Sequence, residues 1–179
     1  MKDLRIVIVS WNVEKHLERC LISLPAACDG LEWEAVVIDN DSKDASVKIA
    51  NQVAADSASK ISVIANADNR GFAKACNQGI AGFDSRYVLL LNPDTECPSG
   101  SLMGLVKAAD SHPRAGIMGP KLTNTDGSLQ HSVRRFPDVW NQAGILLKLH
   151  RVFPRFFRDY FFPLTKGEYK GVVDQVMGA

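Results

Sequence analysis

Short apolar runs alternate with longer stretches of helical periodicity along the first two thirds of the chain. Residues 4–10 form a β-branched apolar run that suits a buried strand. Val13, Leu17, Cys20, Leu21 and Leu24 then recur at helical spacing, predicting a helix that ends before Pro25. Residues 33–39 (WEAVVID) repeat the strand signal, and Ser42, Lys43 and Asp44 supply capping residues for a second helix reaching about Ala55. Residues 60–65 predict a third strand, and Phe72, Cys76, Gly79, Ile80 and Phe83 give a third helix its apolar face. Residues 87–91 predict a fourth strand, which runs into the turn sequence Asn92-Pro93-Asp94-Thr95. Leu102, Leu105, Val106 and Ala109 mark a further helix closing before His112-Pro113, and residues 115–119 predict a fifth short strand. This alternation implies an α/β domain over residues 1–122, with a mostly parallel central sheet covered by helices on both faces. From about Thr123 the rhythm is lost. Residues 123–179 are expected to be irregular, with residues 172–179 as the start of another strand.

Composition narrows the partners. The chain has 179 residues, 46% of them hydrophobic, enough for one continuous core. Its 21 basic and 20 acidic residues nearly cancel, so no overall field argues for nucleic acid or an anionic membrane as the main partner. Cys20, Cys28, Cys76 and Cys97 show neither a CxxC pair nor a metal-ligand spacing, which fits free thiols in a reducing compartment. With no long apolar stretch at the N-terminus, the expected location is cytoplasmic.

In an open parallel sheet, ligands bind outside the carboxyl ends of the strands. Those ends are polar here: Ser10-Trp11-Asn12, then Asp39-Asn40-Asp41-Ser42, then Asn66 to Asn69 before Gly71, then Asn92-Pro93-Asp94. Asp39, an acceptor-only carboxylate, suits a base N–H or a ribose hydroxyl; the plain alternative is that it caps the next helix. Asp94 suits a Mg2+ or Mn2+ held mainly by phosphate oxygens and water, which needs only one or two protein carboxylates; the plain alternative is a type I turn. Asn77 and Lys74 lie off the apolar stripe of the third helix, with Gly71 at its start. No GxGxxG follows the first strand and no GxxxxGK[ST] occurs. A calcium loop beginning at Asp39 lacks its glycine and its final glutamate. The same residues resemble the start of a haloacid-dehalogenase-type phosphatase, with Lys43 in place of the expected Thr or Val.

Several segments taken together resemble family 2 glycosyltransferases, especially rhamnosyltransferase-like bacterial members. They are IVIVSWN at 6–12, VVIDNDSKDASV at 36–47, NRGFAKACNQGI at 69–80, YVLLLNPDT at 87–95 and GPKLTNTDGSLQHSVRRFP at 119–137. The resemblance implies a Rossmann-like GT-A fold that binds a nucleoside diphosphate sugar, dTDP-rhamnose or a UDP-sugar, and transfers it with inversion to a hydroxyl in cell-surface polysaccharide synthesis. It places Ser10, Trp11 and Asn12 in the nucleotide pocket, Asp39 on the base or ribose, and Asn69, Gly71 and Asn77 along nucleotide and sugar. Asp94 becomes the metal ligand of a DxD-like element whose first carboxylate is replaced by Asn92. The resemblance also implies a catalytic base, and most of the acceptor site, beyond Ala179, so the 179 residues are expected to bind donor without transferring sugar. A non-catalytic nucleotide-binding or scaffold module of the same fold is the alternative. The acceptor is expected to be lipid-linked or a polysaccharide. The basic-aromatic stretch at 152–163 suits either peripheral contact with the inner face of the membrane or packing against the rest of the protein.

Overall fold

The computed structural model describes residues 1–56, 60–130, 132–134, 136, 139–149 and 171–176. The chain divides into two compact units, Met1–Arg114 and Ala115–Ala179. The first is built from β1 (Lys2–Ser10), α1 (Glu14–Ala27), β2 (Trp33–Asp39), α2 (Ser46–Asp56), β3 (Ile61–Ala65), α3 (Phe72–Ile80), β4 (Ser85–Leu91) and α4 (Ser101–Ser111). Its four strands are all parallel and lie in the order β3-β2-β1-β4.

That order follows from the handedness of crossover connections. Right-handed β-α-β units that step outward from β1 to β2 to β3 put α1 and α2 on one face. The return from β3 past β1 to β4 runs the other way, so α3 falls on the opposite face. The cores agree. Ile6, Ile8, Ala35 and Val37 pack with Leu17, Leu21 and Leu24 of α1, Ala50 of α2, and Leu102 and Val106 of α4. Val7, Val36 and Ile38 meet Ala75 of α3 on the other side. Helices cover both faces, as the periodicity implied.

Three local expectations change. Helix α1 does not stop before Pro25 but carries it, ending at Ala27. Pro25 forfeits its own N–H bond and crowds the Leu21 carbonyl, but only two helical residues follow it, and the N–H of Cys28 still closes on the Leu24 carbonyl at 2.9 Å. The apolar face of α3 is made by Ala75, Cys76 and Gly79, while Phe72 and Phe83 are 59% and 45% exposed. Close approach of the helix to the sheet at its small residues leaves the large rings at the margin. Finally, residues 115–119 form no strand. Gly116 and Gly119 weaken the run, Ile117 is 83% exposed, and no described strand pairs with it.

In the second unit, the stretch expected to be irregular contains two short antiparallel pairs and the helix α5 (Val139–Leu146). β5 (Leu122–Thr123) pairs with β6 (Leu129–Gln130) across a turn in which Gly127 takes φ 80° and Asp126 Oδ1 accepts the Ser128 N–H. β7 (Val133–Arg134) pairs with β8 (Gln175–Val176), so the expected strand near residue 172 is short and begins later. The stretch at 152–163 lies outside the described residues.

Candidate nucleotide site

The switch point of the sheet lies between β1 and β4, where the order of chain progression reverses. A crevice opens at the carboxyl ends of strands flanking such a point. Ser10-Trp11-Asn12 and Asn92-Pro93-Asp94 leave the sheet on its two sides, with Asp39 and Asn66 at the ends of the next two strands.

Ser10 and Asp39 are register partners on β1 and β2 and are both buried, Asp39 to 2% exposure. The Asp39 carboxylate organises a tight turn: Oδ2 accepts the Ser42 N–H at 2.9 Å and Oδ1 accepts the Ser42 hydroxyl at 2.6 Å. Asp39 thus does not cap α2, which starts four residues beyond Ser42. The start of α2 is served by Asp44, one residue before Ala45, whose carbonyl takes the first helical bond; Asp44 Oδ1 accepts the Ser46 N–H at 3.0 Å. Two non-glycine residues, Asn12 (φ 53°) and Asp41 (φ 65°), take the left-handed conformation here. Asn and Asp tolerate it best, and such strain concentrates at functional turns.

The loops after β1 and β2 are stitched together. The N–H of Asn12 donates to Ser42 Oγ at 2.9 Å, and Asn12 Oδ1 accepts the Lys43 N–H at 2.7 Å. The N–H of Glu14 donates to Asp44 Oδ2 at 3.0 Å, and the N–H of Ala45 donates to Glu14 Oε2 at 2.9 Å. Each carboxylate therefore serves the start of the other's segment, a pairing across 30 residues that no local pattern announces. A shallow recess of about 250 Å³ opens beside it, lined by Asn12, Val13, Glu14, Lys15, His16 and Asp44. Burial pushes the Asp44 carboxyl up, but the hydrogen bonds from Ser46 and from the N–H of Glu14 outweigh it and hold the group below its ordinary value. With the folded value depressed, the stabilisation is present above the unfolded pKa and is lost as pH falls through the folded one. Asp44→Ala should cost about 1 kcal/mol at neutral pH, a difference from wild type that shrinks below about pH 4; urea titrations at pH 7 and pH 3 measure both.

Beyond β3, Asn69 Oδ1 accepts the Gly71 N–H at 2.9 Å, and Gly71 enters α3 with φ 78°. An added Cβ there meets nothing within 4 Å, so the glycine serves the backbone angle and leaves open space above it. Asn69 and Asn77 are exposed, as is Lys74. Trp11 is 56% exposed.

At the end of β4, the N–H of Thr95 donates to the Asn92 carbonyl at 3.2 Å, the turn expected from Asn-Pro-Asp-Thr. Asp94 is exposed, and among the described residues nothing donates to its carboxylate. Nor do the described residues contain a group of three or more His, Cys, Asp and Glu able to hold a metal ion. Below the turn, burial pushes the Cys20 thiol up to about 12, helped by Cys97, Asp94 and Glu96, and burial likewise raises Cys28 to about 12. All four cysteines are free and buried. They belong to the core.

Pairings that the sequence reading did not mark complete the site's frame: Ser42, read there as a capping residue and strand-end hydroxyl, is the partner of Asp39; Glu14 is the partner of Asp44; and Gln78 Nε2 donates to Asn66 Oδ1 at 3.0 Å. Gln78 directly precedes the buried Gly79 and follows the buried Ala75 by three, a placement that signals a side chain turned toward the sheet.

The family description "Glycosyl transferase family 2" matches residues 5–170. The chain belongs to that family. It is 30% identical over 147 residues to the N-acetylglucosaminyl-diphospho-decaprenol L-rhamnosyltransferase of Mycobacterium tuberculosis, covering 76% of this chain and 46% of that protein. It is also 30% identical over 107 residues to an undecaprenyl-phosphate 4-deoxy-4-formamido-L-arabinose transferase of Edwardsiella ictaluri, covering 59% of this chain and 33% of that one. The chain thus spans less than half the length of these relatives. Among solved structures it resembles S. aureus TarS 1-349 in complex with UDP-GlcNAc, with TM-score 0.55, 20% identity, and 70% and 41% of the two chains covered. It also resembles the mannosyltransferase PcManGT from Pyrobaculum calidifontis in complex with GDP-Man and Mn2+, with TM-score 0.57, 17% identity, and 69% and 36% covered. The fold of this family 2 member is GT-A. Family membership and the engagement of both Asp39 oxygens by Ser42 remove the phosphatase alternative, in which Asp39 is a free nucleophile. Among the described residues, no helix is long and apolar enough to cross a membrane.

Proposed function

We propose that residues 1–114 bind a nucleoside diphosphate sugar at the carboxyl ends of β1, β2, β3 and β4, as the donor side of an inverting glycosyltransferase. The observation that carries this reading is the meeting of four polar strand ends at the switch point of a parallel sheet, where Asn12 and Asp41 hold left-handed turns and the loops after β1 and β2 are tied together. Ligands of open α/β sheets bind in the crevice at such a point. Asp39 supplies an acceptor for the base or ribose, with Ser10, Trp11 and Asn12 lining the pocket, and Asn69, Gly71, Asn77 and Asn92 border nucleotide and sugar.

Asp94 fits a hard divalent cation because its carboxylate is exposed and unengaged, and because one carboxylate suffices when a diphosphate supplies further oxygens. Asp94 would hold Mg2+ or Mn2+, which when bound would supply neutralisation of the charge building on the leaving diphosphate. Asn92 adds no charge, so the cation depends on the nucleotide for most of its ligands. The relatives named for polyprenyl-linked substrates favour a lipid-linked acceptor, with dTDP-rhamnose or a UDP-sugar as donor and peripheral association with the cytoplasmic membrane face. Among the described residues we assign no catalytic base, so donor binding is the property to measure first.

Calorimetry of the folded chain with UDP, dTDP and GDP tests the reading. One of the three should bind, and Mn2+ should tighten it by about tenfold, roughly 1.4 kcal/mol. Asp94→Ala should abolish the Mn2+ effect while leaving the metal-free affinity within about twofold. A folded sample that binds none of the three favours the scaffold alternative.

A further inference from the structure

Three side-chain amides join the ends of β2 and β3 to α3. Asn66 Nδ2 donates to Asn40 Oδ1 at 3.1 Å, and Gln78 Nε2 donates to Asn66 Oδ1 at 3.0 Å. The backbone runs in parallel with this chain: the N–H of Asn40 donates to the Ser10 carbonyl at 2.8 Å, and the N–H of Asn66 donates to the Asp39 carbonyl at 2.9 Å. Asn40 and Asn66 are buried, and Gln78 Oε1 is buried with no partner among the described residues. Residues 67–71, all exposed, hang between the two ends that Asn66 and Gln78 tie together. Inside them the Asn69–Gly71 bond sets the last turn, and the exposed Arg70–Asp68 pair at 3.3 Å adds little restraint.

We propose that the Asn40–Asn66–Gln78 amide chain is the positioning element for loop 67–71, holding Asn69 and Gly71 at the donor. The inference rests on the donor-site reading above and goes further by assigning Asn40, Asn66 and Gln78, none of which faces the ligand in that reading. Both links of the amide chain are made, and buried hydrogen bonds of this kind restrain the segments they join, even though Gln78 Oε1 has no partner among the described residues. The loop has no apolar anchor of its own, because Phe72, next to it, is exposed. Cutting the chain therefore frees the loop without opening the core.

The chain also has a directional property that yields a rescue. Each amide donates toward Asn40, so an acceptor-only side chain at position 78 is accommodated if both asparagine amides rotate. Asn66 Nδ2 then donates to position 78, and Asn66 Oδ1 accepts from Asn40 Nδ2. Gln78→Glu preserves two links in reverse, whereas Gln78→Met, similar in length, preserves only the Asn40–Asn66 link.

The test combines 15N relaxation with calorimetry using the nucleotide that wild type binds. Gln78→Met should drop the order parameters of residues 67–71 from about 0.85 toward 0.6 or below, leave those of β1 and β2 unchanged, and weaken the nucleotide by about tenfold. Gln78→Glu should stay within about threefold of wild type and keep the loop ordered. Asn66→Ser, shorter and still polar, should reproduce the Gln78→Met loosening. Loop order unchanged in both Gln78→Met and Asn66→Ser overturns the inference, as does a loosened loop with unchanged affinity. Equal loss in Gln78→Met and Gln78→Glu overturns it too. If wild type binds no nucleotide, the donor-site reading fails and takes the donor-facing part of this inference with it. Wild-type binding with unaffected variants sinks the inference alone.

Discussion

Asp39→Asn lowers the affinity for the preferred nucleoside diphosphate by about thirty- to a hundredfold, equivalent to about 2–3 kcal/mol for a hydrogen bond accepted by a charged group. The substitution keeps the shape of the side chain and most of the turn. The Asn oxygen still accepts the Ser42 N–H, and the Ser42 hydroxyl, now facing an NH2 group, rotates from donor to acceptor. What is lost is the acceptor-only character that a base N–H or ribose hydroxyl requires. Ser42→Ala is the control, since it removes the 2.6 Å bond to Asp39 and the bond accepted from the Asn12 N–H but keeps the carboxylate. It should lower stability by about 1–2 kcal/mol and change nucleotide affinity by less than about threefold. Calorimetry on both variants, with a urea titration of each, separates the roles. Equal losses of affinity would mean that Asp39 only shapes the turn, and its assignment to the ligand would fall.

The alternation of strand and helix was legible because the central strands β1 and β2 are apolar runs buried on both faces, the edge strands β3 and β4 keep short apolar runs, and each helix keeps one stripe. The carboxyl-end residues were legible for the same reason: once the strands are located, the polar residues after them must share one edge. Three features escaped, each for a physical cause. Helix α1 passes Pro25 because the proline costs one bond near the end of a helix whose buried stripe, Leu17, Cys20, Leu21, Leu24 and Ala27, continues to its last residue. The cross-pairing of Glu14 with Ala45 and of Asp44 with Glu14 depends on two loops meeting in space. The face of α3 was read rightly at Cys76 and Gly79, but it was also given Phe72 and Phe83, large rings that the sheet leaves exposed, while Ala75 carries too little hydrophobic weight to be noticed. Among the glycines of the first unit, Gly79 leaves the least room for a side chain.

Gly79→Ala should destabilise the protein by about 2–3 kcal/mol, although helix propensity alone favours alanine by about 1 kcal/mol. A Cβ at position 79 would sit 2.4 Å from Val7 Cγ1, 3.2 Å from Val7 Cγ2 and 3.4 Å from Ile38 Cγ1. Val7 is buried in the central strand β1, and both of its methyls already face the helix, so rotating χ1 exchanges one clash for another. Helix α3 must lift instead. Lifting also pulls the Gly79 carbonyl away from Arg5 Nε, which donates to it at 2.7 Å. Overpacking therefore outweighs propensity, and a thermal melt should show a fall in Tm of roughly 5–10 °C. Val7→Ala supplies the internal check: in that background the added methyl has space, so the cost of Gly79→Ala should shrink by about 1–2 kcal/mol, the coupling expected of residues in contact. Equal or greater stability of Gly79→Ala alone would mean that α3 rides free of the sheet. Asn77 and Gln78, carried by the same turn of helix, would then have no fixed distance to the strand ends they are argued to serve.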